Sequence, residues 1–233
     1  MLGRRSDTEN KEQAVNIKKI LFCGLSAAVM GLGAQAAGAV ATLYISDGTT
    51  THVITDGGVG DSNASAGVVT FVGTIGTFNI NVSTGYNDSG SALNLMDLNS
   101  INAGTAAGTL TIKFSDTGYT GGGTTSAHWG GTLSGAGSSV TAEAFYGADN
   151  ALFTETGSIV AFGPFGGPSF SADGSGNIPI AGPYSLTQII TITAGQAGVA
   201  YSGDFELKVP EPGSLALLGF GLLGLGAARR RRQ

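Results

Sequence analysis

Few residues in this chain have the types needed for chemistry, and they stand apart from one another. His52 and His128 are the only histidines. With no ligand spacing between them and no Gly-x-Ser-x-Gly turn nearby, they read as surface or cross-strand residues, not as metal ligands or general bases. Trp129 follows His128 in a Gly-rich stretch and is the one tryptophan. With tyrosines such as Tyr119 and Tyr146 it offers a stacking face for a sugar ring, the alternative being a core or rim anchor. Asp61-Ser62-Asn63-Ala64-Ser65-Ala66-Gly67 begins like a calcium loop. Ala66 takes the place of the glycine needed for the sharp turn and Val72 that of the bidentate glutamate, which excludes an EF-hand. Asp47, Asp56, Asp61 and Asp116 leave a different calcium loop open, but the same acids serve solubility and Asx-turns. No carboxylate pair can be set at glycosidase spacing from the sequence, and residues 42–209 contain no arginine to clamp a phosphate. The expectation is therefore no catalytic residue, no metal and no cofactor.

A further match is a coincidence of composition. Gly219-Phe220-Gly221-Leu222-Leu223-Gly224 fits the dinucleotide fingerprint letter for letter, yet it has neither a preceding strand nor an acidic residue some twenty positions on.

Charge sorts the chain into three parts. Residues 42–209 hold twelve acids against Lys113 and Lys208 alone, twelve minus two, a net −10. The nine other basic residues lie towards the two ends. Such a body repels phosphate backbones, so no nucleic-acid partner is expected. At the front, Lys18 and Lys19 precede an apolar stretch over residues 20–33, and small residues follow. This is the pattern of a secretory signal read by the Sec translocon, with A-x-A cleavage by signal peptidase allowed after Ala36, Ala39 or Ala41. The first seventeen residues are long for an n-region and point to a start site placed too far upstream. Cys23 is the only cysteine and sits in the apolar stretch, so the body has no disulfide framework and no thiol nucleophile.

Val209-Pro210-Glu211-Pro212-Gly213-Ser214 ends the body. Its two prolines remove two backbone donors and hold Val209 and Glu211 extended, so a strand has to stop there. Residues 213–228 carry no charge, and as a helix they span ~24 Å, a little under the ~30 Å hydrocarbon core. Arg229, Arg230, Arg231 and Arg232 follow; snorkelling extends the reach, and the positive-inside rule places this end in the cytoplasm. The order of these three signals resembles the PEP-CTERM sorting tail of exported bacterial proteins, over about a tenth of the chain. The resemblance implies recognition of Val209, Pro210, Glu211, Pro212 and Gly213 by an exosortase, a membrane-embedded cysteine protease or transpeptidase. It also implies a Gram-negative host that makes extracellular polysaccharide, with the mature body at the cell surface.

The elements between the two ends read as β. Forty glycines and a Thr/Ser/Asn background favour short strands and many turns. Phe78, Ile80 and Val82 alternate with Asn79, Asn81 and Ser83, and Leu110, Ile112 and Phe114 with Thr111 and Lys113. Residues 93–101 fit a short helix or a bulged strand. About nine strands and no clear long helix predict an all-β body over residues 42–208, an antiparallel β-sandwich or jelly roll. A signal peptide over 1–41 with an N-terminal signal helix precedes it, and a sorting tail over 209–233 with a C-terminal transmembrane helix follows. The expected function is that of an exported, non-enzymatic surface or matrix protein associated with exopolysaccharide or biofilm. A secreted carbohydrate-binding module is the alternative, and a secreted hydrolase a second one.

Overall fold

The computed structural model describes residues 41–87 and 95–209. The expected signal and transmembrane helices lie outside the described residues, as do Ala36, Ala39, Pro210, Glu211, Pro212, Gly213 and the arginines 229–232. Among the described residues there is no helix long and apolar enough to cross a membrane.

Among the described residues twelve strands follow one another: β1 (Thr42–Ser46), β2 (Thr51–Thr55), β3 (Val68–Ile75), β4 (Phe78–Asn87), β5 (Leu95–Gly104), β6 (Gly108–Tyr119), β7 (Gly123–Leu133), β8 (Ser139–Gly147), β9 (Gly157–Phe165), β10 (Ser169–Ile178), β11 (Tyr184–Ala194) and β12 (Val199–Lys208). They form two six-stranded sheets, β2-β1-β6-β11-β8-β9 and β10-β7-β12-β5-β4-β3, and the paired strands are antiparallel. The body is all-β, as the sequence predicts. Two strands beyond that reading, β7 and β10, are rich in Gly and Ser, and residues 95–101 of the ambiguous segment are strand.

Period-two alternation builds the core. In β12, Val199, Tyr201, Phe205 and Leu207 are buried, and in β6 Leu110, Ile112 and Phe114 are buried and face the same interior. Gln188 of β11 crosses that interior: its Nε2 donates to the carbonyls of Phe205, 2.7 Å away, and Met96, 3.3 Å away, pinning one sheet to the other.

β11 is buried over most of its length on both faces, because the loop 148–156 lies across the outer face of its sheet. Phe153 N donates to Ser115 Oγ at 3.0 Å, Gly118 N to Asn150 Oδ1 at 2.7 Å, and Lys113 Nζ pairs with Glu155 Oε1 at 2.7 Å. Phe153 adopts a left-handed φ of 60° to lay its ring 6.0 Å from Tyr44. The outward hydroxyls of Thr42, Ser115 and Thr187 are thereby buried.

Close approach of backbones demands a glycine in β7. A Cβ on Gly131 meets the Ser202 carbonyl oxygen at 2.4 Å and Gly203 Cα at 2.8 Å on the neighbouring β12, and neither is a side chain that can swing away. Gly131→Ala is expected to destabilise the body by about 1–3 kcal/mol, read from the midpoint of denaturant unfolding; an unchanged midpoint refutes the close approach.

Both ends of the described chain leave the sandwich at one pole. β1 starts with Thr42 opposite Ser115, near the end of β6 at Tyr119, which pairs with Tyr184 at the start of β11. The turn 195–198 joining β11 to β12 lies at the other pole, so β12 returns and finishes at Lys208 beside the start of β11. Val209 follows and is 6% exposed.

Candidate functional site

The polar groups of the body converge on the outer face of the sheet that carries β12. Met96, Leu98, Trp129, Phe205 and Leu207 point inward, so their neighbours Asp97, His128, Asp204 and Glu206 point outward. Register aligns four of these groups on adjacent strands: Asp173 of β10 faces His128 of β7, His128 faces Glu206 of β12, and Glu206 faces Asp97 of β5. Three interstrand steps make a row of ~14 Å. Asp204 stands two residues along β12, between Gly130 and Asn99.

Side-chain contacts run along the row. His128 Nδ1 lies 2.8 Å from Asp173 Oδ1 with both side chains well exposed, and Lys208 Nζ lies 2.9 Å from Glu206 Oε1. Asp97, at the β5 end of the row, is more tightly bound. Burial, then the hydrogen bond to Asp204 and its charge, then the charge of Glu206 push Asp97 up to about 8, so near neutral pH its carboxyl keeps a proton and donates it to the Asp204 carboxylate. Asp97 Oδ1 is buried and makes no hydrogen bond among the described residues.

Other predicted residues fall elsewhere. Trp129 is 0% exposed: its indole lies 4.6 Å from Phe170, 5.5 Å from Phe165 and 6.4 Å from Phe162 and Phe205, and its Nε1 donates to Tyr201 Oη at 3.2 Å. A sugar ring cannot reach it without opening the sandwich, so the stacking role is corrected to that of a core anchor. Tyr119 is likewise buried, whereas Tyr146 is partly exposed. His52 stacks on Phe71 at 5.2 Å where β2 and β3 meet.

The loop acids are spent on the backbone. Asp47 Oδ1 accepts from Thr49 N and Thr50 N at 2.9 and 2.6 Å, and Asp56 Oδ2 from Gly67 N at 2.7 Å. Burial works against ionisation of Asp61, but the N–H groups of Thr70, Asn63 and Gly57 outweigh it and hold the carboxyl below the usual carboxylate range. Asp116 is buried. Among the described residues no three His, Cys, Asp or Glu side chains are grouped to hold a metal ion. A groove of about 510 Å³ at the pole of the chain ends is lined by residues 148–150 and 180–183. Its one carboxylate, Asp149, serves its own loop, accepting from Ala151 N and Thr154 Oγ1.

At the C-terminal end the candidate is the peptide itself. Residues 208–232 match the model of the PEP-CTERM protein-sorting motif. The chain carries a PEP-CTERM sorting tail. Such a tail implies export and a membrane-anchored precursor. The match begins at Lys208, inside β12, and the next residue, Val209, is packed in the core, so no linker separates the PEP-CTERM segment from the folded body. Comparison with curated proteins finds no match. Among solved structures, the chain is similar to the adhesin domain of Epf from Streptococcus pyogenes at 10% identity and a TM-score of 0.37, over 72% of this chain and 57% of that one. It is also similar to a carbohydrate-binding module of Cellvibrio mixtus lichenase 5A in complex with cellotriose, at 11% identity and a TM-score of 0.27, over 58% and 88%. A third similarity is to the enzymatically active domain of bacteriophage CBA120 tailspike protein 4, at 10% identity and a TM-score of 0.33, over 57% of this chain but 20% of the tailspike.

Proposed function

We propose that the chain is an exported, non-enzymatic protein of the cell surface or extracellular matrix, whose β body is cargo delivered by an exosortase acting at Pro210, Glu211 and Pro212. In this reading the Sec translocon and signal peptidase handle the front end, the inner membrane holds the precursor through residues 213–228, and the mature body is deployed among exopolysaccharide in a biofilm. The observation that carries the reading is the PEP-CTERM match over residues 208–232. Replacing both prolines, Pro210→Ala with Pro212→Ala, is expected to leave full-length precursor in the inner-membrane fraction of the native host. Release of the double variant at the parent's level overturns the assignment.

A second reading, retention of polysaccharide by the body, is favoured by the outward row of Asp173, His128, Glu206 and Asp97. It offers hydrogen-bond acceptors and one imidazole at strand spacing, beside the side-chain-free floor at Gly130. His128→Ala combined with Glu206→Ala is expected to lower retention on immobilised host exopolysaccharide about tenfold, which corresponds to about 1.4 kcal/mol. Equal retention of parent and variant removes this reading.

A further inference from the structure

The loop that begins like a calcium site contains Asn63-Ala64-Ser65, an Asn-x-Ser acceptor triplet for N-linked sugar. In an exported protein such a triplet belongs on a surface loop. Asn81-Val82-Ser83 and Asn87-Asp88-Ser89 have the same form. Asn81 lies inside β4, laddered to Val72 of β3 and Ile101 of β5, and Asn87 pairs with Met96 at the end of the same strand. Asn63 lies between β2 and β3, outside any ladder. Of the three, Asn63 alone follows an acid by two residues, Asp61. The result is Asp-x-Asn-x-Ser, the longer acceptor pattern of bacterial oligosaccharide transfer.

Asp61 shapes the loop around Asn63. Its Oδ1 accepts from Asn63 N at 2.9 Å and Thr70 N at 3.0 Å, and its Oδ2 from Gly57 N at 3.0 Å. Asn63 Oδ1 in turn accepts from Ser65 N at 2.9 Å, an Asx-turn that holds the oxygen end of the amide. The nitrogen end is left over: among the described residues Asn63 Nδ2 makes no hydrogen bond, and it is not sealed from solvent. Ala64, Ser65 and Ala66 beside it are exposed. Whether a sugar is added before the body folds or after, this loop has room for it.

The loop also stands at the pole of the chain ends. Thr55, where β2 stops, pairs with Thr42, and Val68, where β3 starts, leads through Tyr86 and Asp97 to Glu206 near the end of β12. On the export reading the sorting tail leaves from this pole, which puts the loop on the side of the inner membrane, where lipid-linked sugar donors are held.

We propose that Asn63 is an acceptor for N-linked oligosaccharide, transferred from a polyprenyl-diphosphate-linked donor at the outer face of the inner membrane. The amide Nδ2 forms a bond to the anomeric carbon of the sugar and gives up one proton to a base of the transferase. The bond from that carbon to the diphosphate oxygen breaks, and polyprenyl diphosphate leaves with the electron pair. The proposal rests on the export reading and adds to it a modification of the exported body.

Chymotryptic peptide mapping of the full chain recovered from its native host tests this, since cuts after Tyr44, Phe71, Phe78 and Tyr86 separate Asn63 from Asn81 and Asn87. The peptide 45–71 is expected to carry a glycan mass, located on Asn63 by fragmentation. Ser65→Ala keeps the backbone N–H of the Asx-turn and is expected to lose the glycan, whereas Ser65→Thr is expected to keep it. Chain that has lost its signal but shows the unmodified mass for 45–71 overturns the inference and leaves export intact. So does a glycan attached through the oxygen of Ser62 or Ser65, or one that persists on Asn63 in Ser65→Ala. Chain that retains its signal and is unmodified at Asn63 overturns the export reading and the inference together.

Discussion

Trp129→Ala is expected to lower the stability of the body by about 3–5 kcal/mol, followed by far-UV circular dichroism during denaturant unfolding. Two losses add. The first is the aromatic cluster: Phe162, Phe165, Phe170 and Phe205 all have ring centroids within 6.4 Å of the indole, and a methyl in its place leaves a cavity that surrounding strands fill only in part. The second is the Tyr201 hydroxyl, whose residue is 1% exposed and which accepts from the indole N–H at 3.2 Å. Stranding a buried polar group of this kind costs about 1–3 kcal/mol by itself. Trp129→Phe retains most of the volume and forfeits the hydrogen bond, so it is expected to fall between parent and alanine variant. A loss below about 1 kcal/mol for the alanine variant means that the indole stands at the surface, the position that sugar stacking requires.

The second large effect is a dependence on pH. Asp97 titrates at about 8 in the folded body against 3.8 for the free side chain, so between those values the folded state holds a proton that the unfolded state has released. Unfolding therefore liberates a proton throughout this window. The contribution of Asp97 to stability is fully present below about pH 4, declines as pH rises, and is gone above about 8. Asp61 acts in the opposite sense: its carboxyl lies below the usual range, and its contribution is lost on acidification. Asp97→Asn keeps a donor for Asp204 without a titrating proton. The difference in unfolding free energy between variant and parent is expected to shift in the variant's favour by about 3 kcal/mol from pH 4 to pH 8, after allowing for partial solvation and for coupling to Asp204. Urea titrations of both proteins at four pH values across the window measure it. A flat difference shows that Asp97 and Asp204 do not share a proton.

Much of the architecture is legible in the residues. Leu110, Ile112 and Phe114 alternate with polar partners because one side of β6 meets the core, and the Val209-Pro210 step marks where β12 stops. β7 and β10 escaped the same rule. In β10 only Phe170 and Ile178 are large and apolar, the outward positions are Ser, Asp and Asn, and two of the inward ones are Gly174 and Gly176. A Cβ on Gly176 meets the Ile159 carbonyl oxygen at 2.1 Å; such a strand is chosen for how closely its neighbours approach, which leaves no hydrophobic period to read. Trp129 carries the same lesson, since a Gly-rich setting resembles an exposed loop and here signals tight packing around a large ring. The row on the outer face depends on pairings between strands far apart in the chain. Asp97 lies in the segment whose type was ambiguous, and Asp204 and Glu206 become its neighbours only once β5 and β12 are in register.

The sorting tail grows out of β12, which is hydrogen-bonded along its length to β5 on one side and over most of it to β7 on the other. A load applied at Lys208 therefore falls on an interior strand, and both ladders have to break before β12 leaves. An edge strand is held by one ladder only. A body attached in this way resists extraction of its last strand, because β12 yields only when the hydrogen bonds to both neighbours fail.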